Sequence, residues 1–134
     1  MTRILGVDVG TKRVGLAVSD PLGLGATPLD VVSRAASFER IAGIVEEHDV
    51  KTVVIGLPTG LSGGEGKSAQ DARNFGGELG RRMGVEVVYR DERFTSRIAE
   101  QRLLDTGMKR RERRSAVDQM AAAIILQDYL DGLR

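Results

Sequence analysis

Asp8 stands inside an apolar run, Ile4-Leu5-Gly6-Val7-Asp8-Val9. Strand alternation puts Ile4, Gly6 and Asp8 on one face and Leu5, Val7 and Val9 on the other, the two-sided apolar pattern of a central strand. A carboxylate at or near the interior is costly unless it is paired, hydrogen-bonded or bound to a cation. Gly6 removes bulk on the same face and leaves room beside it. Two readings therefore fit Asp8: a turn residue accepting from the amides of Thr11 and Lys12, or a cation ligand. Two other acidic positions bear on the choice. Asp91-Glu92 follow the run Val85-Glu86-Val87-Val88-Tyr89-Arg90, and Asp118 precedes Ala121, Ala122, Ile125 and Tyr129 by three, four, seven and eleven residues. That spacing makes one stripe of a helix, turned toward the protein. Asp118 also comes three residues after Ser115, so a helix-start role in a capping-box-like arrangement fits it too.

Three carboxylates brought together repel one another unless a divalent cation sits among them. Hard oxygen donors without His or Cys select Mg²⁺ or Mn²⁺. Acids at the ends of two strands and in the first turn of a helix suit two-metal hydrolysis of a phosphodiester, in which the ions generate the hydroxide and neutralise the leaving oxygen. No protein nucleophile is then required. The chain has no cysteine, which excludes a thiol nucleophile, a thiolate metal site and a disulfide framework. Its one histidine, His48, lies in Glu46-Glu47-His48-Asp49 at an expected helix end, where a cation is favourable and catalysis is not expected.

The elements that must position these acids can be read in order. Residues 3–20 form two short apolar strands around a tight glycine-containing turn, a hairpin signal. Ala26–Ser33 reads as a third strand, and Pro28 assigns it to an edge. Ser37 is expected to cap a helix bearing Phe38, Ile41, Ala42 and Val45, and the helix leads to a buried parallel strand over Thr52–Pro58. Thr59–Gly66 is glycine-rich, and the loop from Thr59 to Lys67 is expected to be mobile in the free protein and to close over a substrate. A second helix carries Ala69, Ala72, Phe75, Leu79 and Met83, weakened by Gly76, Gly77 and Gly80. Val85–Arg90 is the fifth strand. Thr95 or Ser96 caps a third helix ending near Gly107, and Ser115 opens the last, to about Leu130. Right-handed crossovers and an edge position for the third strand give a mixed α/β sheet of order 3-2-1-4-5 with the Asp8 strand in the centre. The edge where the parallel strands end, which holds Asp8 and Asp91-Glu92, is where ligands of such sheets sit.

At 134 residues and 41% apolar content the chain reads as one ordinary globular domain. Net charge is +1, but residues 90 to 114 hold nine Arg and Lys against five Asp and Glu. The densest cluster is Lys109-Arg110-Arg111-Glu112-Arg113-Arg114, either a solvated surface or a contact to a phosphate backbone. The N-terminus enters a strand at once and no apolar run approaches the ~20 residues of a spanning helix, so a cytoplasmic protein without membrane contact is expected. Leu61–Ser68 nearly matches a phosphate-binding loop but has leucine where its first glycine is required. Asp8-Val9-Gly10-Thr11 is also similar to the first phosphate loop of actin- and sugar-kinase-like ATPases, which need two such domains. A non-catalytic nucleic-acid-binding module is the stronger alternative to an enzyme.

Four motifs in order are more specific than any of these. Asp8-Val9-Gly10-Thr11-Lys12-Arg13-Val14-Gly15 with Ser19-Asp20, Gly56-Leu57-Pro58, Asp91-Glu92-Arg93-Phe94-Thr95-Ser96, and Asp118-Gln119-Met120-Ala121-Ala122-Ala123-Ile124-Ile125-Leu126 together resemble the YqgF (RuvX) family over nearly the whole chain. The resemblance implies a single RNase H-like nuclease domain over residues 1–134. It also implies catalysis by Asp8, Glu92 and Asp118 with bound magnesium or manganese. The substrate it implies is the 5′ end of precursor 16S ribosomal RNA, or alternatively a Holliday junction in DNA. The motif leaves open which of Asp91 and Glu92 faces the metal; the longer reach favours Glu92. Thr11, Lys12, Arg13, Arg93, Lys109, Arg110, Arg111, Arg113 and Arg114 are the expected nucleic-acid contacts, in a monomer or a homodimer. Ser96 stands where a second threonine is common and keeps the hydroxyl. The chain has no acid where related resolvases end their fourth strand, at Gly56-Leu57-Pro58.

Overall fold

The computed structural model describes residues 2–58, 66–91 and 110–133, with the backbone alone at 110–115 and 118. The strands are β1 (Arg3–Val9), β2 (Arg13–Ser19), β3 (Ala26–Ser33), β4 (Val50–Leu57) and β5 (Glu86–Asp91). The helices are α1 (Ser37–Glu47), preceded by a 3₁₀ turn at Arg34–Ala36, α2 (Lys67–Met83) and α3 (Arg110–Gly132). One five-stranded sheet has the order β3-β2-β1-β4-β5, as expected from the sequence. The β1–β2 and β2–β3 pairings are antiparallel, and β1–β4 and β4–β5 are parallel. The expected helix from Thr95 or Ser96 to Gly107 and most of the glycine-rich stretch (59–65) lie outside the described residues.

Alternation along the strands sorts the side chains into two cores. Leu5, Val7, Val14, Leu16, Val53 and Ile55 pack under Ile41 and Ile44 of α1 and Ala69, Ala72, Phe75 and Leu79 of α2. The opposite face carries small residues, Ala17 among them, and receives Ala122, Ile125, Leu126 and Leu130 of α3 together with Val54. β3 forms the edge, and the ladder to β2 skips a residue where Pro28 pairs with Ala17, which accommodates a residue without an amide hydrogen. Ser19 is buried, and its hydroxyl accepts from the Ile4 amide at 2.9 Å, which holds the start of β1 to the end of β2.

Three expectations change. Ser37 is not the cap of α1 but its first residue, and its hydroxyl donates to the Arg34 carbonyl at 2.7 Å. Ser33 does the capping one turn earlier, accepting from the Ala36 amide at 3.3 Å. Ala42, expected on the apolar stripe of α1, is exposed, and Ile44 is buried in its place. The last helix begins at Arg110 rather than Ser115. Arg and Glu are good helix formers, and neither glycine nor proline interrupts residues 110–115, so nothing there stops the helix. The basic cluster is thus the first part of α3, and Asp118 lies eight residues inside it, beyond the reach of capping.

Two glycines mark close packing. A Cβ at Gly6 would lie 2.7 Å from the Leu126 Cβ and 2.9 Å from the Ala122 carbonyl oxygen. One at Gly76 would collide with the Tyr89 hydroxyl and lie 2.9 Å from Ile55 Cδ1, so this helix-weakening glycine admits the β4–β5 side chains. A Cβ at Gly77 meets nothing within 4 Å. Gly77→Ala is therefore expected to stabilise the fold by up to about 1 kcal/mol, while Gly6→Ala destabilises it by about 1–3 kcal/mol through overpacking. Urea unfolding of the two variants beside the parent checks both signs.

Candidate active site

Asp8 is half-buried one residue before the end of β1, and its partner on β2 is Gly15. On the other side Val7 pairs with Ile55, so the next residue of β4 is Gly56. With Gly6 two positions back on the same face, the carboxylate has glycine at every neighbouring position on its side of the sheet. The sheet therefore carries no side chain beside Asp8 on that face, at Gly6 the α3 backbone takes up the room, and the arrangement follows from the register rather than from any one motif.

α3 crosses this face antiparallel to β1. Gln127 accepts from the Ala26 amide at 2.9 Å and donates to the Leu24 carbonyl at 3.1 Å. Ala26 pairs with Ser19, whose hydroxyl holds Ile4, so Gln127 marks the amino end of β1. Ala122 lies over Gly6, nearer the carboxyl end. The preceding turn of α3 bears Asp118 and continues the same way, toward the end of β1 where Asp8 stands. Asp91 is exposed at the last position of β5, paired with Leu57. Glu92, Arg93 and Lys109 lie outside the described residues, as do the side chains of Asp118, Arg110, Arg111, Arg113 and Arg114. Thr11, Lys12 and Arg13 are exposed at the tip of the β1–β2 hairpin, three residues and more beyond Asp8.

His48 is at the opposite end of the molecule from Asp8. The Arg3 guanidinium lies 3.3 Å from its Nδ1. His48 is the C-terminal cap residue of α1, at the helix end expected from the sequence.

Two ion pairs that the sequence did not signal frame the acid-bearing edge. Arg90, next to Asp91, donates to Asp128 Oδ2 from Nε at 3.1 Å and Nη2 at 2.7 Å, joining β5 to α3. Asp128 is largely exposed, so this pair adds little stability but sets a register. Arg34 meets Asp71 through two bonds of 2.9 Å, and Nη1 also donates to the Gly10 carbonyl at 2.9 Å. Ion pairs between residues 37 positions apart leave no spacing signal. In the loop after β2, Asp20 accepts from the amides of Leu22, Leu24 and Gly25, as Asp does in turns. The Leu24 amide leads in holding the Asp20 carboxyl below its ordinary value.

The hydrogen bond from Arg34 is the main reason that the Asp71 carboxyl lies below its ordinary value of 3.8, against an opposing effect of burial. A carboxyl whose folded pKa is depressed stabilises the fold above the unfolded value and loses that contribution as pH falls through the folded one. Asp71→Asn is therefore expected to unfold at lower urea than the parent at pH 7, with the difference shrinking as the pH drops below 3.8. Urea midpoints at neutral pH and in acid below that value give the answer.

A family model described as RuvX, Holliday junction resolvase, matches residues 2–132. A protein of Lactococcus lactis subsp. cremoris named "Putative pre-16S rRNA nuclease" is 45% identical over 134 residues, covering 96% of this chain and 94% of that protein. One of the same name from Mycobacteroides abscessus is 50% identical over 137 residues, covering 98% of this chain and 82% of that protein. Among solved structures, Thermus thermophilus RuvC in complex with a Holliday junction superposes with a TM-score of 0.60 at 16% identity, covering 99% of this chain and 96% of that one. The fowlpox virus resolvase superposes with a TM-score of 0.56 at 12% identity, covering 98% and 99%. At such identities the likeness is one of fold, and the fold is RNase H-like. With a family match over nearly its whole length and relatives near half identical, the chain belongs to the RuvX family of nucleases.

Proposed function

We propose that the chain is a Mg²⁺- or Mn²⁺-dependent phosphodiesterase acting in the cytoplasm on the 5′ end of precursor 16S rRNA, with Asp8, Glu92 and Asp118 holding the metal. The observation that carries the reading is Asp8 itself. It is half-buried on the central strand with glycines as its neighbours on the sheet, and α3 runs toward it. Moving Asp118 from the first turn of a helix into its interior removes the capping explanation for that acid. The donor set fits a hard divalent ion: it is carboxylate only, and the one histidine sits at the far end of β1. Asp91, at the end of β5, is the alternative to Glu92.

When bound, the ions would supply a hydroxide at neutral pH and neutralise charge on the leaving oxygen. The remaining work falls to the chain. Asp8 is fixed by a central strand hydrogen-bonded on both sides, so its position is set by backbone rather than by a flexible loop. Thr11, Lys12 and Arg13, exposed just beyond it, meet the substrate backbone beside the scissile bond, with Arg93 and Lys109 as further contacts. Arg110, Arg111, Arg113 and Arg114 occupy the first turns of α3, where cations oppose the helix dipole. Their placement disfavours the isolated helix and is offset by a bound polyanion.

The relatives' name favours RNA, and the family description names a four-way DNA junction. Incubation with precursor 16S rRNA and with a synthetic junction, in magnesium and in EDTA, is expected to show cleavage of the RNA in magnesium alone. Cleavage of the junction only would transfer the assignment to DNA and call for a homodimer rather than a monomer. Asp8→Asn is expected to cut cleavage about a hundredfold or more while substrate binding survives. Magnesium should raise the melting temperature of the parent and not that of the variant. Near-parental cleavage by Asp8→Asn would overturn the metal reading. Replacing Arg110, Arg111, Arg113 and Arg114 with Ser should flatten the salt dependence of binding, by about 0.7–0.9 in log–log slope for each phosphate no longer neutralised. An unchanged slope would return the cluster to a solvated surface.

A further inference from the structure

Arg34 joins three elements at the tip of the β1–β2 hairpin. Its guanidinium shares both carboxylate oxygens of Asp71 on α2, donates to the Gly10 carbonyl, and lies 5.1 Å above the centre of the Phe75 ring. Its backbone amide donates to the Lys12 carbonyl at 2.8 Å. Two of the four residues from Gly10 to Arg13 are therefore held by one arginine. A planar fork can serve a carboxylate and a carbonyl together, which a single ammonium cannot do in the same geometry. Asp71 and Phe75 lie one helical turn apart on α2, so one face of that helix orients the guanidinium from two sides. The Asp71 contact contributes little stability for its exposure, with 41% of the side chain accessible. Its geometric effect is larger: it aims Nη1 at Gly10, two residues past Asp8.

We propose that Arg34 is a positioning residue for the nucleic-acid grip. By holding the Gly10 carbonyl with its guanidinium, beside the backbone bond from its amide to Lys12, it keeps Thr11, Lys12 and Arg13 at one place relative to Asp8, with Asp71 and Phe75 orienting the guanidinium. The inference rests on the nuclease reading for what the tip grips, but not for what holds the tip. Neither Arg34 nor Asp71 belongs to the acids or to the expected nucleic-acid contacts.

The test compares the parent with Arg34→Met and Arg34→Lys, and with Arg40→Met as a control. Arg40 makes an ion pair of similar exposure with Asp30, away from the tip. Amide hydrogen exchange at Gly10–Arg13 is measured in the free, metal-free proteins. Affinity for a fluorescein-labelled RNA stem-loop is measured in EDTA, so that neither readout needs cleavage. Removal of one hydrogen bond to the tip is expected to speed exchange there about tenfold in Arg34→Met, and to weaken RNA binding by a similar factor. Arg34→Lys, which retains the charge and secures the fold, should fall between, and Arg40→Met should match the parent in both. Unchanged tip exchange in Arg34→Met and Arg34→Lys overturns the proposal. So does faster exchange with unchanged RNA affinity, because the tip is then held for some other purpose. Equal effects in Arg40→Met would reduce Arg34 to general stabilisation and overturn it too. A parent that binds RNA but cleaves neither RNA nor a junction in magnesium fails the nuclease reading alone.

Discussion

The contact between α3 and Gly6 governs the geometry of the acid-bearing edge. A helix can approach a sheet this closely only where side chains are absent or small, and here the Ala122 carbonyl and the Leu126 Cβ occupy the space a Cβ would need. Close-packed interiors leave such a helix little freedom to slide or rotate. The buried Ala121, Ala122, Ile125, Leu126 and Leu130 then fix its rotation. Everything the helix carries toward its start, from Asp118 to the basic turns, inherits its position from this one steric fit.

The two faces of the sheet divide the labour. The face under α1 and α2 is filled with large aliphatic side chains, from Leu5 and Val7 to Ile55 and Leu79, each fully buried. At about 1.5–3 kcal/mol for each large apolar side chain removed from water, this core supplies most of the stability. The face under α3 is built of smaller residues at its centre, Gly6, Gly15 and Ala17. It gives up burial to admit a backbone and a carboxylate. A half-buried acid is tolerable there because the opposite face carries the fold.

Charge is arranged around the same edge. Arg34 with Asp71 and Arg90 with Asp128 each tie a segment beside Asp8 or Asp91 to a helix across the sheet. Their value lies in register rather than in energy, since exposed pairs of this kind are worth about 1 kcal/mol or less. Lys12 and Arg13 at the hairpin tip and the start of α3 lie toward the carboxyl end of β1, where Asp8 stands. That combination suits a polyanion, in keeping with the proposed nuclease role.

Local pattern in the sequence determined the strand order, the central place of the Asp8 strand, the edge role of the Pro28 strand and the two-sided burial. These follow from alternation, turn residues and crossover handedness, all short-range signals. The same pattern singled out Asp8, Asp91-Glu92 and Asp118 as the acids to consider together. Tertiary structure alone decided what depends on contacts between distant residues. Gly76 reads as a weakness in a helix, and packing against Tyr89 and Ile55 makes it a requirement. Ser115 reads as a helix start, and α3 in fact begins at Arg110, a correction that local propensity could also have supplied. Arg34, Asp71, Arg90 and Asp128 carry no spacing that announces them, because partners 37 and 38 residues apart meet only once the sheet and its helices are assembled.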